Sequence, residues 1–313
     1  MTPSSKPSRL LVLLGPTAVG KTRLAALLAH AVKGAVISTD SRQVFRGMDI
    51  GTGKDISDYV VNGQVVPFHL VDIVDAGTEY SVFSYLNDFR DVYNRIVATG
   101  KLPVVCGGTG LYVEAVLMGY KLTEVPEDPE FRKSLEHLSN DQLVSKLEGM
   151  RTLHNSTDSI FRERIIRALE IESFRSGKNP APVVDIADAV VFGLRFDRQT
   201  IRERITLRLE SRLKNGMIEE VRGLLRNGIS PERLNYYGLE YRYITAYLQD
   251  EISYDKMFGL LNTAIHQFAK RQMTWFRRME RNGVQIRWLE GENGEEYNLE
   301  IMQQEVVRLV NGV

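Results

Sequence analysis

Residues 10–22 read Leu10-Leu11-Val12-Leu13-Leu14-Gly15-Pro16-Thr17-Ala18-Val19-Gly20-Lys21-Thr22. Leu10–Leu14 is an unbroken apolar run, the pattern of a strand buried on both faces of a parallel sheet. Gly15–Thr22 fits G-x-x-x-x-G-K-[ST], and Thr22–Val32, with Leu24, Leu27 and Leu28 on one face, predicts a helix. Strand, glycine loop and helix in that order make a phosphate cradle. Glycines let backbone N–H groups approach an anion with no Cβ in the way, and the helix N-terminus adds partial positive charge. Lys21 supplies a cation, and the Thr22 hydroxyl suits Mg2+. The diphosphate- or nucleotide-binding residues are thus Gly15, Pro16, Thr17, Ala18, Val19, Gly20, Lys21 and Thr22. The loop specifies a phosphate ligand without choosing between ATP and another diphosphate ester.

Working outward, Ala35–Ser38 and Pro103–Cys106 read as further buried strands, Pro67–Ile73 as a possible third and Ala189–Leu194 as a late one. Tyr85–Thr99 predicts a helix closed by Gly100. Strands alternating with helices imply right-handed βαβ units and an α/β fold with a parallel sheet. Beyond them the chain turns helical and charged. Glu127–Gly149 is polar and helix-like, Phe161–Phe174 and Ile201–Arg226 read as amphipathic helices, and Met257–Arg281 as a long basic one. The expected organisation is an α/β core over 1–120, a helical insertion over 121–160, and the remainder of the core with helical segments over 161–313.

The chain has 313 residues, 43% hydrophobic and 26% charged, enough for a substantial core. Lys+Arg and Asp+Glu are 40 each, so total charge decides nothing about nucleic acid and local clustering must. A single cysteine, Cys106, excludes an intramolecular disulfide, and with five scattered His it argues against a Cys/His zinc site. The apolar run at Leu10–Leu14 is too short for a signal peptide or membrane span, so a cytoplasmic protein, without membrane attachment, is expected.

In an open α/β sheet, ligands bind at the carboxyl ends of strands, where the glycine loop lies. Asp40 follows the Ala35–Ser38 strand, and three readings fit it: metal-shell ligand, general base, or turn aspartate. Ser41, Arg42 and Gln43 beside it offer groups suited to a base edge or a phosphate. Gly107-Gly108-Thr109-Gly110 follows Pro103–Cys106 and would bring Thr109 to the same crevice. Arg204, Arg208 and Arg212, spaced by four, share a helix face beside the apolar Ile201, Ile205 and Leu209. That face either reaches back over the phosphates like a lid or is solvated beside Glu203 and Glu210. From Asn262 to Arg287 six Lys/Arg face one acid, Glu280, with Trp275 and Phe276 among the cations. Such a mix suits a nucleic-acid backbone with stacking groups, unless the aromatics are core.

These stretches together resemble the tRNA dimethylallyltransferases, also called tRNA isopentenyltransferases. The matching segments are GPTAVGKT at 15–22, STDSRQVFRGMDIGTGK at 38–54, PVVCGGTGLYVEAV at 103–116, RIIRALE at 164–170 and FAKRQMTWFR at 268–277, with PFHLVDI at 67–73 looser. The resemblance implies a P-loop, nucleotide-kinase-like parallel-sheet core with a helical insertion and a helical C-terminal part. It implies Mg2+ as cofactor, held at Thr22, and dimethylallyl diphosphate as donor. The acceptor it implies is N6 of the tRNA adenine just 3′ of the anticodon, position 37, and the enzyme is expected to act as a monomer. By motif match Asp40 resembles the general base, Thr17 and Lys21 diphosphate contacts, and Arg208 the arginine that grips the diphosphate from above. The tRNA-contacting set it implies is Asp40, Ser41, Arg42, Gln43, Thr109, Arg132, Glu163, Arg164, Ile165, Ile166, Arg167, Lys270, Arg271, Gln272, Thr274, Trp275 and Arg277, with Asn235–Glu240 a weaker match. Two places depart from the family pattern: Ser159-Ile160-Phe161 where an Asn-Asp pair is usual, and Gly238-Leu239-Glu240 where a cation is usual. An ATP-dependent small-molecule kinase and a non-catalytic RNA-binding switch are the competing classes; the basic segment 268–278 speaks against the first and Asp40 against the second.

Overall fold

The structure is a computed structural model and describes residues 9–122, 124–150, 162–174, 186 and 188–311. The departure at Ser159-Ile160-Phe161 lies outside the described residues. Two compact units emerge, one from residues 1–119 and 184–313, the other from 120–183.

The larger unit is built on a six-stranded sheet in the order Ile286–Glu290, Asp188–Arg195, Arg9–Leu14, Pro103–Gly107, Ala35–Ser38, Phe68–His69. Every neighbouring pair is parallel. Leu10, Leu11, Leu13 and Leu14 are completely buried, as a central strand covered on both faces requires. Each such side chain contributes roughly 1.5–3 kcal/mol to folding. The Lys21–Ala31 helix lays Leu24, Ala25, Leu28 and Ala29 into the same core. Leu13 pairs with Cys106 and Cys106 with Ser38, so the three central strands end level with one another. Their turns, Gly15–Gly20, Gly108–Thr109 and Thr39–Ser41, therefore lie side by side along one edge of the sheet.

Several boundaries differ from expectation. The predicted helix Ile201–Arg226 is two helices, Arg198–Lys214 and Met217–Arg226. They part at Gly216, whose φ of 101° no side-chain-bearing residue readily takes. Pro67–Ile73 yields only the two-residue strand Phe68–His69, while Val74–Asp75 pairs with Phe45–Arg46 outside the main sheet. Ile286–Glu290, unforeseen, is the edge strand beside Asp188–Arg195. Helices Pro231–Tyr237, Leu239–Leu248 and Glu295–Asn311 also went unread.

The 28-residue helix Tyr254–Arg281 starts at Ser253, whose side chain accepts from Lys256 N–H, and buries Met257, Leu261, Ile265, Ala269, Gln272, Phe276 and Met279 along one stripe. Steps of four and three fix that stripe. They place a polar residue, Gln272, in the middle of it.

In the smaller unit, Pro129–Ser134, Asn140–Glu148 and Arg162–Phe174 share a core of Leu135, Leu143, Leu147, Ile165 and Leu169. The Arg162–Phe174 helix, expected with the remainder of the core, packs in this unit, which runs over 120–183 where 121–160 is expected.

Candidate active site

Gly15 passes so close to the neighbouring strand that a Cβ there would sit 2.4 Å from the Leu194 carbonyl oxygen. Gly20, in the left-handed region with φ 88°, turns the chain into the Lys21–Ala31 helix. Lys21 Nζ donates to Pro16 O at 2.6 Å, folding its stem along the loop. Burial, with the Arg208 guanidinium adding to it against the pull of Cys106 and Asp40, brings the Lys21 ammonium down to about 8. A cation held so reluctantly gains by receiving an anion.

The arginine face closes over this loop. Arg204 Nε donates to Ala18 O at 2.8 Å, and Arg208 Nη2 donates to the Thr17 hydroxyl. Arg212 Nη2 lies 3.5 Å from Asp55 and against Gly53, where a Cβ would overlap it. Glu203, expected as a surface partner, instead accepts from Gln199 Nε2. Burial and then Arg212 lower the Arg208 pKa, although a guanidinium keeps its proton at any physiological pH. Glu240, the departure from the family's cation, lies within electrostatic reach of Arg212, Arg208 and Asp40; burial raises its pKa and the two arginines oppose the rise.

Asp40 sits at the end of the Ala35–Ser38 strand. Its Oδ1 accepts from Arg42 N at 2.8 Å and Gln43 N at 3.4 Å, so one oxygen does the work of a turn aspartate and Oδ2 lies outside those bonds. Ser41 N donates to Thr109 Oγ1 at 3.1 Å, joining the turns after the second and fourth strands in sequence. Arg42 Nη2 donates to Tyr236 O at 2.9 Å and its guanidinium lies 5.4 Å from the exposed Tyr236 ring. Gln43 is internal on both ends of its amide, accepting from Ser38 Oγ at 3.1 Å and donating to Gly53 O at 3.1 Å.

Of the expected tRNA contacts on the long helix, Lys270, Arg271, Thr274 and Arg277 share the solvent-exposed face. Trp275 is partly buried: its ring packs on Gly110, and Nε1 donates to Glu114 Oε2 at 2.9 Å, which also receives Arg278 Nη2 at 2.5 Å. Gln272 is not on the exposed face. It is 7% exposed, with both ends of its amide engaged inside the protein. In the smaller unit Ile165 is fully buried, its side chain within the core of that unit. Arg132 and Arg167 both donate to Glu170, with Arg132 Nε at 3.0 Å and Arg167 Nη1 at 2.5 Å. Burial would raise Glu170, but Arg132, the Asp128 amide and Arg167 outweigh it and hold the carboxyl at about 2. Glu163 and Arg164 are solvent-exposed and Ile166 is half-buried.

Glu114 and Glu220 escaped the sequence reading. Glu220 accepts from the amides of Asp49, Ile50 and Gly51 at 2.8, 2.6 and 3.0 Å and from Tyr241 OH, shaping the loop against which Arg212 packs. The signal for Glu114 was available: it is the one acid in the otherwise apolar Gly110–Leu117.

Among the described residues, no cluster of three or more His, Cys, Asp or Glu could hold a metal by itself. Of the residues expected to hold Mg2+, the Thr22 hydroxyl would be the protein ligand, and a bound diphosphate would have to supply further oxygens. No helix among the described residues is long and apolar enough to cross a membrane.

The family model described as IPP transferase matches residues 43–279, well over half of the chain. A protein named tRNA dimethylallyltransferase 1 from Parabacteroides distasonis is 50% identical over 288 residues, covering 91% of this chain and 93% of its own. The chain belongs to the IPP transferase family. A tRNA dimethylallyltransferase 2 from Pelobacter propionicus is 53% identical over 288 residues, 91% of this chain and 90% of its own. Among solved structures, the tRNA isopentenylpyrophosphate transferase of Bacillus halodurans superimposes with TM-score 0.71 at 30% identity, covering 96% of each chain. A eukaryotic dimethylallyltransferase described as acting on tRNA superimposes with TM-score 0.73 at 22% identity over 91% of this chain and 74% of its own, a likeness that bears on the fold. The P-loop kinase-like core is thus the core of this family.

Proposed function

We propose that this IPP transferase family member moves a dimethylallyl group from dimethylallyl diphosphate to N6 of the adenine 3′ of the anticodon in tRNA, releasing diphosphate. Transfer of dimethylallyl to tRNA rests on family membership and the relatives' names. The donor, the acceptor atom and the residue roles are our reading. The observation that carries it is the meeting, at one sheet edge, of a phosphate loop gripped by an arginine face with a strand-end carboxylate.

The acceptor nitrogen is weak, because its lone pair is delocalised into the purine. The allylic C1–O bond compensates by stretching toward a delocalised cation. Charge then builds on the departing diphosphate, and Lys21, Arg208 and the loop amides meet it there. Mg2+, when bound at Thr22, supplies further positive charge to the same leaving group. The N6–C1 bond forms as C1–O breaks, and Asp40 Oδ2 takes the N6 proton, while Oδ1 stays fixed by Arg42 N–H and keeps the carboxylate aimed. An adenine in an RNA loop unstacks at modest cost and can enter a pocket that a duplex base cannot. The exposed row Lys270, Arg271, Thr274 and Arg277 would bind phosphates of the anticodon arm. We read the enzyme as a monomer working in the cytoplasm.

The test is direct. The protein is incubated with labelled dimethylallyl diphosphate, Mg2+ and unmodified tRNA, the RNA is digested, and N6-prenylated adenosine is sought. Label in that nucleoside supports the proposal. Consumption of a nucleoside triphosphate with no label in RNA would replace it by the kinase reading.

A further inference from the structure

The long helix presents its cations outward and one polar residue inward. Gln272 Oε1 accepts from Thr17 N at 2.8 Å, and Gln272 Nε2 donates to Gly108 O at 2.8 Å. These partners are backbone groups of two different strand-end turns, so one side-chain amide spans the loop after Arg9–Leu14 and the turn after Pro103–Gly107. The fit leaves no slack. A Cβ on Gly108 would lie 2.4 Å from Gln272 Nε2 and 3.0 Å from Gly15 O. A buried amide satisfied at both ends is rigid, and losing either bond would strand a buried backbone group.

Thr17 is the residue on which this matters. Its N–H is held by Gln272 and its hydroxyl by Arg208, so the peptide at the centre of the loop is fixed from two helices far apart in sequence. We propose that Gln272 is a positioning residue of the diphosphate site, setting the loop through the Thr17 amide and the Gly108 carbonyl, and that it makes no contact with tRNA. The inference rests on the functional reading above for the identity of the diphosphate, and it reverses the role that the resemblance implied for this residue. Preorganisation of this kind is worth most where the ligand's charge must be met without rearrangement.

The test uses the full chain and two variants of similar length, Gln272→Met and Gln272→Glu. Methionine removes both hydrogen bonds. Glutamate keeps an acceptor for Thr17 N–H but cannot donate to Gly108 when ionised, and it sets a negative charge behind the cradle. Inorganic pyrophosphate affinity is measured by calorimetry, anticodon stem-loop affinity by fluorescence anisotropy, and folding by thermal melting. Both variants should weaken pyrophosphate, and raise KM for dimethylallyl diphosphate, at least tenfold, with stem-loop affinity and KM for tRNA within twofold of the parent. A folded variant with parental pyrophosphate affinity, or one that loses RNA affinity alone, overturns the proposal. Amide hydrogen exchange in the unsubstituted protein gives a reading that needs no variant: Thr17 N–H should exchange slowly without ligand, and fast exchange rejects the strut. If the parent binds pyrophosphate but prenylates no RNA, the functional reading falls and the pyrophosphate comparison still decides on Gln272.

Discussion

Arg208 donates from Nη2 to the hydroxyl of Thr17, joining residues 191 positions apart in the chain. The guanidinium thus rests on the loop expected to hold the diphosphate. Replacing Arg208 by Ala should lower kcat about 10²–10³-fold, the usual cost of removing one donor aimed at developing charge. Lys at this place should rescue only part of the loss, because a point charge cannot reproduce the planar fork. Steady-state kinetics on both variants check this, with tRNA affinity expected to stay unchanged.

The proposal gives Asp40 a proton-accepting task beside its observed turn bonds, and the choice of substitution separates the two. Asp40→Asn keeps an oxygen to accept from Arg42 N–H, so the turn should survive while proton acceptance is lost. Turnover should fall at least about a hundredfold, within the ~10²–10⁴ range of general-base effects. Binding of unmodified tRNA should stay within twofold. Near-parental turnover in Asp40→Asn would remove the base from this account.

Lys21 gives the site a pH signature. Burial brings its pKa from 10.5 to about 8, so folding makes the ammonium easier to deprotonate than it is in the unfolded chain. Pyrophosphate favours the ammonium. Affinity for pyrophosphate should therefore fall as pH climbs past about 8. The stability of the free protein should move the other way. Between about 8 and 10.5 the unfolded chain holds the extra proton, so the penalty that the buried ammonium imposes on folding is relieved as pH rises through that window. Calorimetric titrations from pH 7 to 9.5 check the first, with Lys21→Arg as the control that should flatten the profile. Urea melts across the same range check the second.

The exposed cations of the Tyr254–Arg281 helix should act as phosphate contacts without sequence preference. Alanine at Lys270, Arg271 or Arg277 should weaken tRNA binding and reduce the slope of log K against log salt by about 1 for each residue. Pyrophosphate affinity should not change. Filter binding across a salt series gives both numbers.

The parts of the fold that local chemistry decides were readable in the sequence. Leu10–Leu14 followed by a glycine loop leaves little choice but a buried central strand and a cradle, and the strand and helix are there. Arg204, Arg208 and Arg212 could be placed on one face by spacing alone; that the face closes on the loop depends on how Ile205 and Leu209 pack, which spacing does not reveal. Gly216 broke a helix whose apolar period runs on across it, because the period records the core and not the φ that the turn needs. Ile165 and Gln272 stand among tRNA contacts only through the motifs that contain them. The stripe Met257, Leu261, Ile265, Ala269, Phe276, Met279 carries Gln272 inside by helical period, a signal that the motif overrides. Glu220 gave no local signal at all, since the amides it holds lie about 170 residues away.

Thr17 takes its restraints from residues 208 and 272, both well into the second half of the chain. A fragment ending after the Gly110–Leu117 helix would retain all eight letters of the loop and both flanking turns, yet it would lack the two side chains that give the loop its shape. During synthesis the signature leaves the ribosome well before the two helices that brace Thr17 have been made.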